Sequence, residues 1–270
     1  EPAFYQFSNG GFYKYDPVPD GGGQPRFEII GGDHDDLPDD PADNSQVDPL
    51  DLVDANGDVT GDIPEVNGTG YNLADNFFYS TQSGTLFRIG QDDSTPRKAV
   101  GEEVGSITLV GDQSFVNTAA DFVGDNKMLL SAGNDFGLLD VTTLEMTDFP
   151  LDPAGEGWAP ADFTVVFDEN EDAVVAYGMS QETLYKMDFL GDPTNLDSDV
   201  KPIVSTFSTS GTTAGESYAG WGSAYSDSAG NLFFYSNNSA EVFRADAADV
   251  PSASDATGTI PLNLVSQATI

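Results

Sequence analysis

The chain has 270 residues, 39% of them hydrophobic and 11% aromatic, enough apolar matter for a packed core, which excludes wholesale disorder. Its 46 acidic residues against nine Lys and Arg give a net charge of -37, which repels nucleic-acid phosphates and anionic lipid head groups, so neither nucleic acid nor membrane insertion is expected. With no cysteine, disulfides and thiolate chemistry are excluded, and no apolar run approaches the ~18 residues of a membrane span.

The first elements are two aromatic strands, "AFYQFS" from Ala3 and "GFYKYD" from Gly11, followed by "RFEII" from Arg26. Aromatic and β-branched runs bounded by Gly, Asn and Asp predict strands joined by tight turns. The pair recurs down the chain. "NFFYST" and "GTLFRIG", "KMLLSAG" and "FGLLDV", "AVVAYG" and "TLYKMDF", and "LFFYSN" and "EVFRAD" repeat the same order. Four of the pairs follow a third run that ends in an acidic or amide-rich turn: "GYNLADN", "FVNTAADFVGDN", "FTVVFDENED" and "SAYSDSAGN". More polar strands come after each pair, namely "RFEII", "PRKAV", "TDFPL", "KPIVSTF" and "IPLNLVS".

Units of four strands recurring about every 50 residues are the signature of propeller blades. The expected architecture is all-β: a five-bladed β-propeller of four-stranded antiparallel blades, one domain over 1–270. A pair of β-sandwiches accounts for the strand number but not for the recurring order. Blades two to five carry strands in the order a, b, c, d, whereas the first begins at b. The empty position is filled by the last residues folding back, or stays empty in a short blade, or takes a strand from another chain.

Between the first two units lies an acidic insertion, residues 31–66, with about a dozen acidic residues, several prolines and almost no aromatics. Its second half, "DANGDVTGDIPE", places oxygen-bearing side chains at loop positions one, three, five, nine and twelve: Asp54, Asn56, Asp58, Asp62 and Glu65. Thr60 can offer its carbonyl at position seven. This spacing suits hard oxygen ligands around one Ca²⁺. The twelve residues resemble calcium loops of the EF-hand and thrombospondin type-3 kind, with Val59 where those loops have a turn glycine and Gly57 two places earlier. A solvated acidic loop is the competing expectation. "FDENED", with oxygens at Asp168, Asn170 and Asp172, falls at a hairpin, where turn chemistry is sufficient explanation.

Asn67 and Asn237 head Asn-x-Ser/Thr sequons and are candidate glycosylation sites of a secreted chain. The two tryptophans, Trp158 in "GWAPA" and Trp221 in "GWGSA", stand just ahead of the a strands of the last two units. Repeated placement implies a repeated role: a wedge buried between blades, or a platform for stacking glycans. Catalytic sets are scarce. One histidine and no cysteine leave no Ser-His or Cys-His machinery outside the acidic loop. A carboxylate pair of glycosidase type cannot be picked out among so many acidic residues.

The stretch "GYNLADNFFYSTQSGTLFRIG" (Gly70 to Gly90) resembles a repeat of propeller-like domains in large secreted and surface proteins, with Leu73 where the repeat has proline. The resemblance implies an extracellular propeller and carries over no catalytic residue or ligand. The expected function is a non-catalytic structural protein of a surface layer or filament, acidic, calcium-binding, glycosylated and self-associating. A calcium-dependent glycan-binding module and a five-bladed glycoside-active enzyme are the alternatives.

Overall fold

The computed structural model describes residues 5–8, 11–16, 26–31, 50–64, 66–91, 99–111, 118–132, 135–149, 157–196, 200–211, 220–227, 229–237, 239, 241–251 and 258–267, those before 50 as backbone strands only. Every regular element among them is a strand, save one 3-10 turn at Ala247–Asp249.

Five sheets form. β1 (Tyr5–Ser8), β2 (Gly11–Asp16) and β3 (Arg26–Gly31) pair antiparallel in the order β1-β2-β3. The first blade uses β4 (Asp51–Val53), β5 (Val59–Asp62), β6 (Asn67–Asn72), β7 (Phe77–Gln82), β8 (Thr85–Gln91) and β9 (Ala99–Ser106), ordered β5-β4-β9-β8-β7-β6. The second uses β10 (Thr108–Val110), β11 (Ala119–Gly124), β12 (Lys127–Ala132), β13 (Asp135–Asp140) and β14 (Glu145–Asp148), ordered β10-β14-β13-β12-β11. In the third, β15 (Asp162–Phe167), β16 (Ala173–Ser180), β17 (Thr183–Asp188) and β18 (Ile203–Ser210) are joined by β22 (Thr259–Pro261). The fourth holds β19 (Trp221–Ser226), β20 (Asn231–Ser236), β21 (Glu241–Asp246) and β23 (Asn263–Gln267).

The first strands of successive blades stand side by side, β6 on β11, β11 on β15 and β15 on β19, which is the propeller arrangement. It has four blades, not the five expected. The N-terminal strands make a three-stranded sheet with β3 against β9, and no described strand occupies its innermost place. Three blades carry a further outer strand laid parallel to the fourth, which the repeat did not foretell: β4 on β9, β10 on β14 and β22 on β18. The tail "IPLNLVS" is accordingly shared. Ile260 and Pro261 finish the third blade, Leu262 donates its N–H to Ser210 O, and β23 then pairs with β21. The proline tolerates this edge position because it has no N–H to give a ladder.

The core lies mainly between blades. Tyr79 and Leu86 of the first blade pack with Phe122, Met128 and Leu139 of the second. Phe136 and Leu138 of the second join Phe163, Ala176 and Met187 of the third. Tyr177, Leu184 and Phe207 of the third meet Leu232, Phe234 and Phe243 of the fourth. A separate cluster, Leu50, Ile63, Val66, Phe87 and Ile89, ties the β4–β5 hairpin to the first blade. Burying a Leu- or Phe-sized side chain stabilises by about 1.5–3 kcal/mol, so these clusters hold neighbouring blades together.

Candidate functional site

The acidic hairpin takes a course that the twelve-residue cage does not allow. Asp54 Oδ1 accepts the N–H groups of Asn56 (2.8 Å) and Asp58 (3.0 Å), and Asp54 Oδ2 accepts the Asn56 side-chain amide (3.1 Å). Those backbone bonds, from Asp58 first and Asn56 second, hold the Asp54 carboxyl below its usual range. Gly57 takes φ +82° and the chain reverses directly into β5. Thr60 lies on that strand, its hydroxyl donating to Leu52 O at 3.1 Å, and Asp62 pairs with Asp51. At ~3.4 Å per strand residue, Asp62 is roughly 13 Å along the chain from Asp58, too far to share one ion with it. Glu65 lies outside the described residues. Among those described, no three Asp, Glu, His or Cys side chains gather to hold a metal. The described residues of the hairpin do not by themselves assemble the calcium cage expected of them.

The same turn is built twice more. Asp168 Oδ1 accepts from Asn170 (2.8 Å) and Asp172 (3.1 Å), and Asp227 Oδ1 from Ala229 (3.0 Å) and Asn231 (2.9 Å). The fourth residue is left-handed each time, Gly57 at +82°, Glu171 at +65° and Gly230 at +82°. One short side chain satisfying two amides of a reversal is the Asx-turn device. It also explains why the glycine precedes the calcium-loop position.

Asn67 is exposed at the start of β6, and Thr69 of its sequon hydrogen-bonds Ser80 within the blade. Asn237 is exposed at the β20–β21 turn with its side-chain amide packed on Gly222, where any Cβ would collide with it. Trp158 is fully buried, its ring edge-on to Phe163 (5.9 Å) and Tyr185 (6.1 Å) of the third blade and 6.2 Å from Phe136 of the second. Trp221, 3% exposed, packs on Phe234 and Phe243 and donates its indole N–H to Gln181 O at 3.0 Å. Truncating such a ring costs about 3–5 kcal/mol, whereas an aromatic pairing beyond its burial is worth about 0.5–1.5 kcal/mol. Both indoles are therefore inter-blade wedges, and neither presents a face to a sugar.

The one pair of carboxyls with strongly altered chemistry among the described residues lies elsewhere. Asp121 on β11 and Asp162 on β15 serve the open edges of the innermost strands, where backbone groups face no sheet neighbour. Asp121 Oδ1 accepts Phe122 N–H (2.9 Å), and its Oδ2 accepts Val165 N–H (2.8 Å) and the Thr164 hydroxyl (3.3 Å) from the next blade. Asp162 Oδ1 accepts Phe163 N–H (2.8 Å), and its carboxyl also takes the Ala224 amide of the fourth blade. The Ser226 hydroxyl returns the link by donating to Val165 O at 3.2 Å. Burial outweighs these bonds. It pushes Asp121 up to about 6 and, with the Asp121 charge adding, Asp162 well above the usual carboxylate range. Sequence reasoning passed over both, although Ala120-Asp121-Phe122 and Ala161-Asp162-Phe163 repeat one tripeptide at the start of consecutive blades.

A small open depression is lined by Phe149, Phe189, Leu190, Asp192, Val200 and Lys201. It brings together apolar contact area and two charges of opposite sign.

No family model matches the chain, and no curated protein matches it. Among solved structures, a chain of a nidogen/laminin complex is 11% identical with TM-score 0.44, covering 98% of each chain. A streptogramin B lyase is 11% identical with TM-score 0.44 over 97% of this chain and 93% of its own. A metal-binding lectin from Cicer arietinum is 11% identical with TM-score 0.41 over 73% of this chain and 92% of its own. Likenesses this distant assign no function.

Proposed function

We propose that this protein is a non-catalytic extracellular β-propeller acting as a binding and assembly module, which associates with further copies of itself at a cell surface. The observation that carries the reading is the fate of the axial carboxyls. A glycoside-active propeller needs two carboxylates facing a substrate across an open centre. Asp121 and Asp162 instead accept the edge amides of Phe122, Val165, Phe163 and Ala224, so they bind blade to blade. Burial of both tryptophans removes the stacking platforms on which a glycan-binding module would have relied.

Self-association is supported by the N-terminal sheet, where β1 has β2 on one side and no described strand on the other. An open edge offers a row of backbone donors and acceptors to a strand from a second chain. A surface of net charge -37 suits a salt- or cation-rich exterior, where screening offsets self-repulsion. Native mass spectrometry and light scattering over a concentration series are expected to show dimers or larger species. A strict monomer at high concentration, with and without calcium, would overturn the assembly reading.

A further inference from the structure

We propose that the fourth blade holds a small monovalent cation, sodium, at the end of its β20–β21 hairpin, on the oxygens of Ser236, Ser239 and Glu241. Register builds the site. Ser236 of β20 stands directly opposite Trp221 of β19 on one side and Glu241 of β21 on the other, so the three side chains lie in a row on one face. Trp221 packs on Phe234 and Phe243, which turns that face toward the third blade, and its indole N–H reaches Gln181 O of the β16–β17 turn. The seam between the two blades encloses Ser236, 0% exposed, and Glu241, 7% exposed.

Two hydroxyls of this hairpin lack protein partners. Ser236 Oγ and Ser239 Oγ are both buried, and neither gives or takes a hydrogen bond. Ser239 sits in the link between Ser236 and Glu241, so all three residues belong to one reversal. Buried hydroxyls of this kind are costly in a native fold unless an ion or a water serves them. The Glu241 carboxylate, its Oε2 shielded from solvent, brings a negative charge to the same place, which favours a cation over neutral water. Oxygen donors suit a hard cation, and one carboxylate with neutral hydroxyls matches a single positive charge better than a divalent ion, whose affinity grows with the number of charged ligands. The net charge of -37 concentrates cations around the chain. Ser223, whose hydroxyl is also buried without a partner, pairs with Tyr235 and so lies on the opposite face, outside the site.

The inference is independent of the assembly reading. Its test is urea unfolding in sodium chloride and in choline chloride at one ionic strength, so that screening is held constant. The wild-type unfolding constant is expected to be about tenfold lower in sodium once the ion stands roughly ten times above its dissociation constant. Ser236→Ala and Glu241→Gln should each abolish the difference, and Ser236→Ala should lose stability against wild type in sodium but not in choline. Identical wild-type curves in the two salts would overturn the proposal and leave water as the occupant. So would a sodium effect that survives in either variant. Ser236→Ala more stable than wild type in sodium would overturn it as well, because deleting an unbonded buried hydroxyl stabilises whereas deleting a ligand does not. Should the two buried substitutions fail to fold, Ser239→Ala in the turn takes their place, with loss of the sodium effect expected and its survival overturning the site.

Discussion

Asp54 and Asp121 each accept two backbone N–H groups, yet the first carboxyl is more acidic than usual and the second less so. The hydrogen bonds are comparable in length and both residues are half-buried; what differs is how closely protein crowds the carboxyl itself. At the hairpin, solvent shares the charge and the amides add to it. On the innermost strand, the next blade crowds the half-buried carboxyl, and the amides do not make up the lost hydration. Asp54 thus serves a turn, and Asp121 fastens one blade to the next.

Removing the axial carboxyl is the harshest way to break that comparison. Asp121→Ala strands Phe122 N–H and Val165 N–H at a partly buried edge, and each unsatisfied donor costs about 1–3 kcal/mol. A loss of about 2–5 kcal/mol is expected in urea unfolding, against a clearly smaller loss for Asp54→Ala, whose amides can turn to water. Equal losses at the two sites would erase the distinction.

Acid and base separate the two regions next. The Asp54 contribution is present above the usual carboxylate pKa and fades as pH falls through its lowered value. The Asp121 contribution is present in acid and fades as pH rises toward about 6. Subtracting each alanine variant from wild type across pH 3 to 8 should give difference curves of opposite slope. Two slopes of one sign would mean that burial does not govern Asp121.

A backbone effect is smaller. Glu171 holds at φ +65° the place that Gly57 and Gly230 occupy in the sister turns, and an L-residue there is strained. Glu171→Gly should stabilise by about 0.5–1 kcal/mol, and Gly230→Ala, with open space around its Cβ, should destabilise by a similar amount through backbone strain alone. Thermal melts of the two variants moving the same way would refute the shared turn geometry.

Local patterns made the strands legible. The runs "NFFYST", "KMLLSAG", "AVVAYG" and "LFFYSN" became β7, β12, β16 and β20 because alternation and turn residues act over a few positions. The outer strands β4 and β10 escaped notice, and the split of "IPLNLVS" between β22 and β23 went unforeseen, because three-residue segments paired with strands distant in sequence carry no local period. The calcium spacing meets a related limit. Oxygen spacing is a linear property, and "DANGD" closes its turn in five residues before a longer loop can form. Nothing local marks Asp121 and Asp162 as inter-blade groups either, since their partners come from β15 and β19, tens of residues away. Only the repeated Ala-Asp-Phe hinted at them.

Calcium provides the finest discrimination between Asp54 and Asp121. A ligand that binds the folded state at one site stabilises by mass action, and at 100 times its dissociation constant the gain is about 2.7 kcal/mol. Because Asp54, Asp58 and Asp62 do not converge, millimolar calcium is expected to raise the melting temperature of wild type and of Asp54→Asn/Asp58→Asn alike, through screening of the acidic surface, with magnesium nearly as effective. Calcium-specific stabilisation that disappears in the double variant would mean that the hairpin rearranges around an ion at a cost smaller than the binding gain. The three Asx turns would then differ in chemistry despite their common backbone, and the distinction between Asp54 and Asp121 would have to be redrawn.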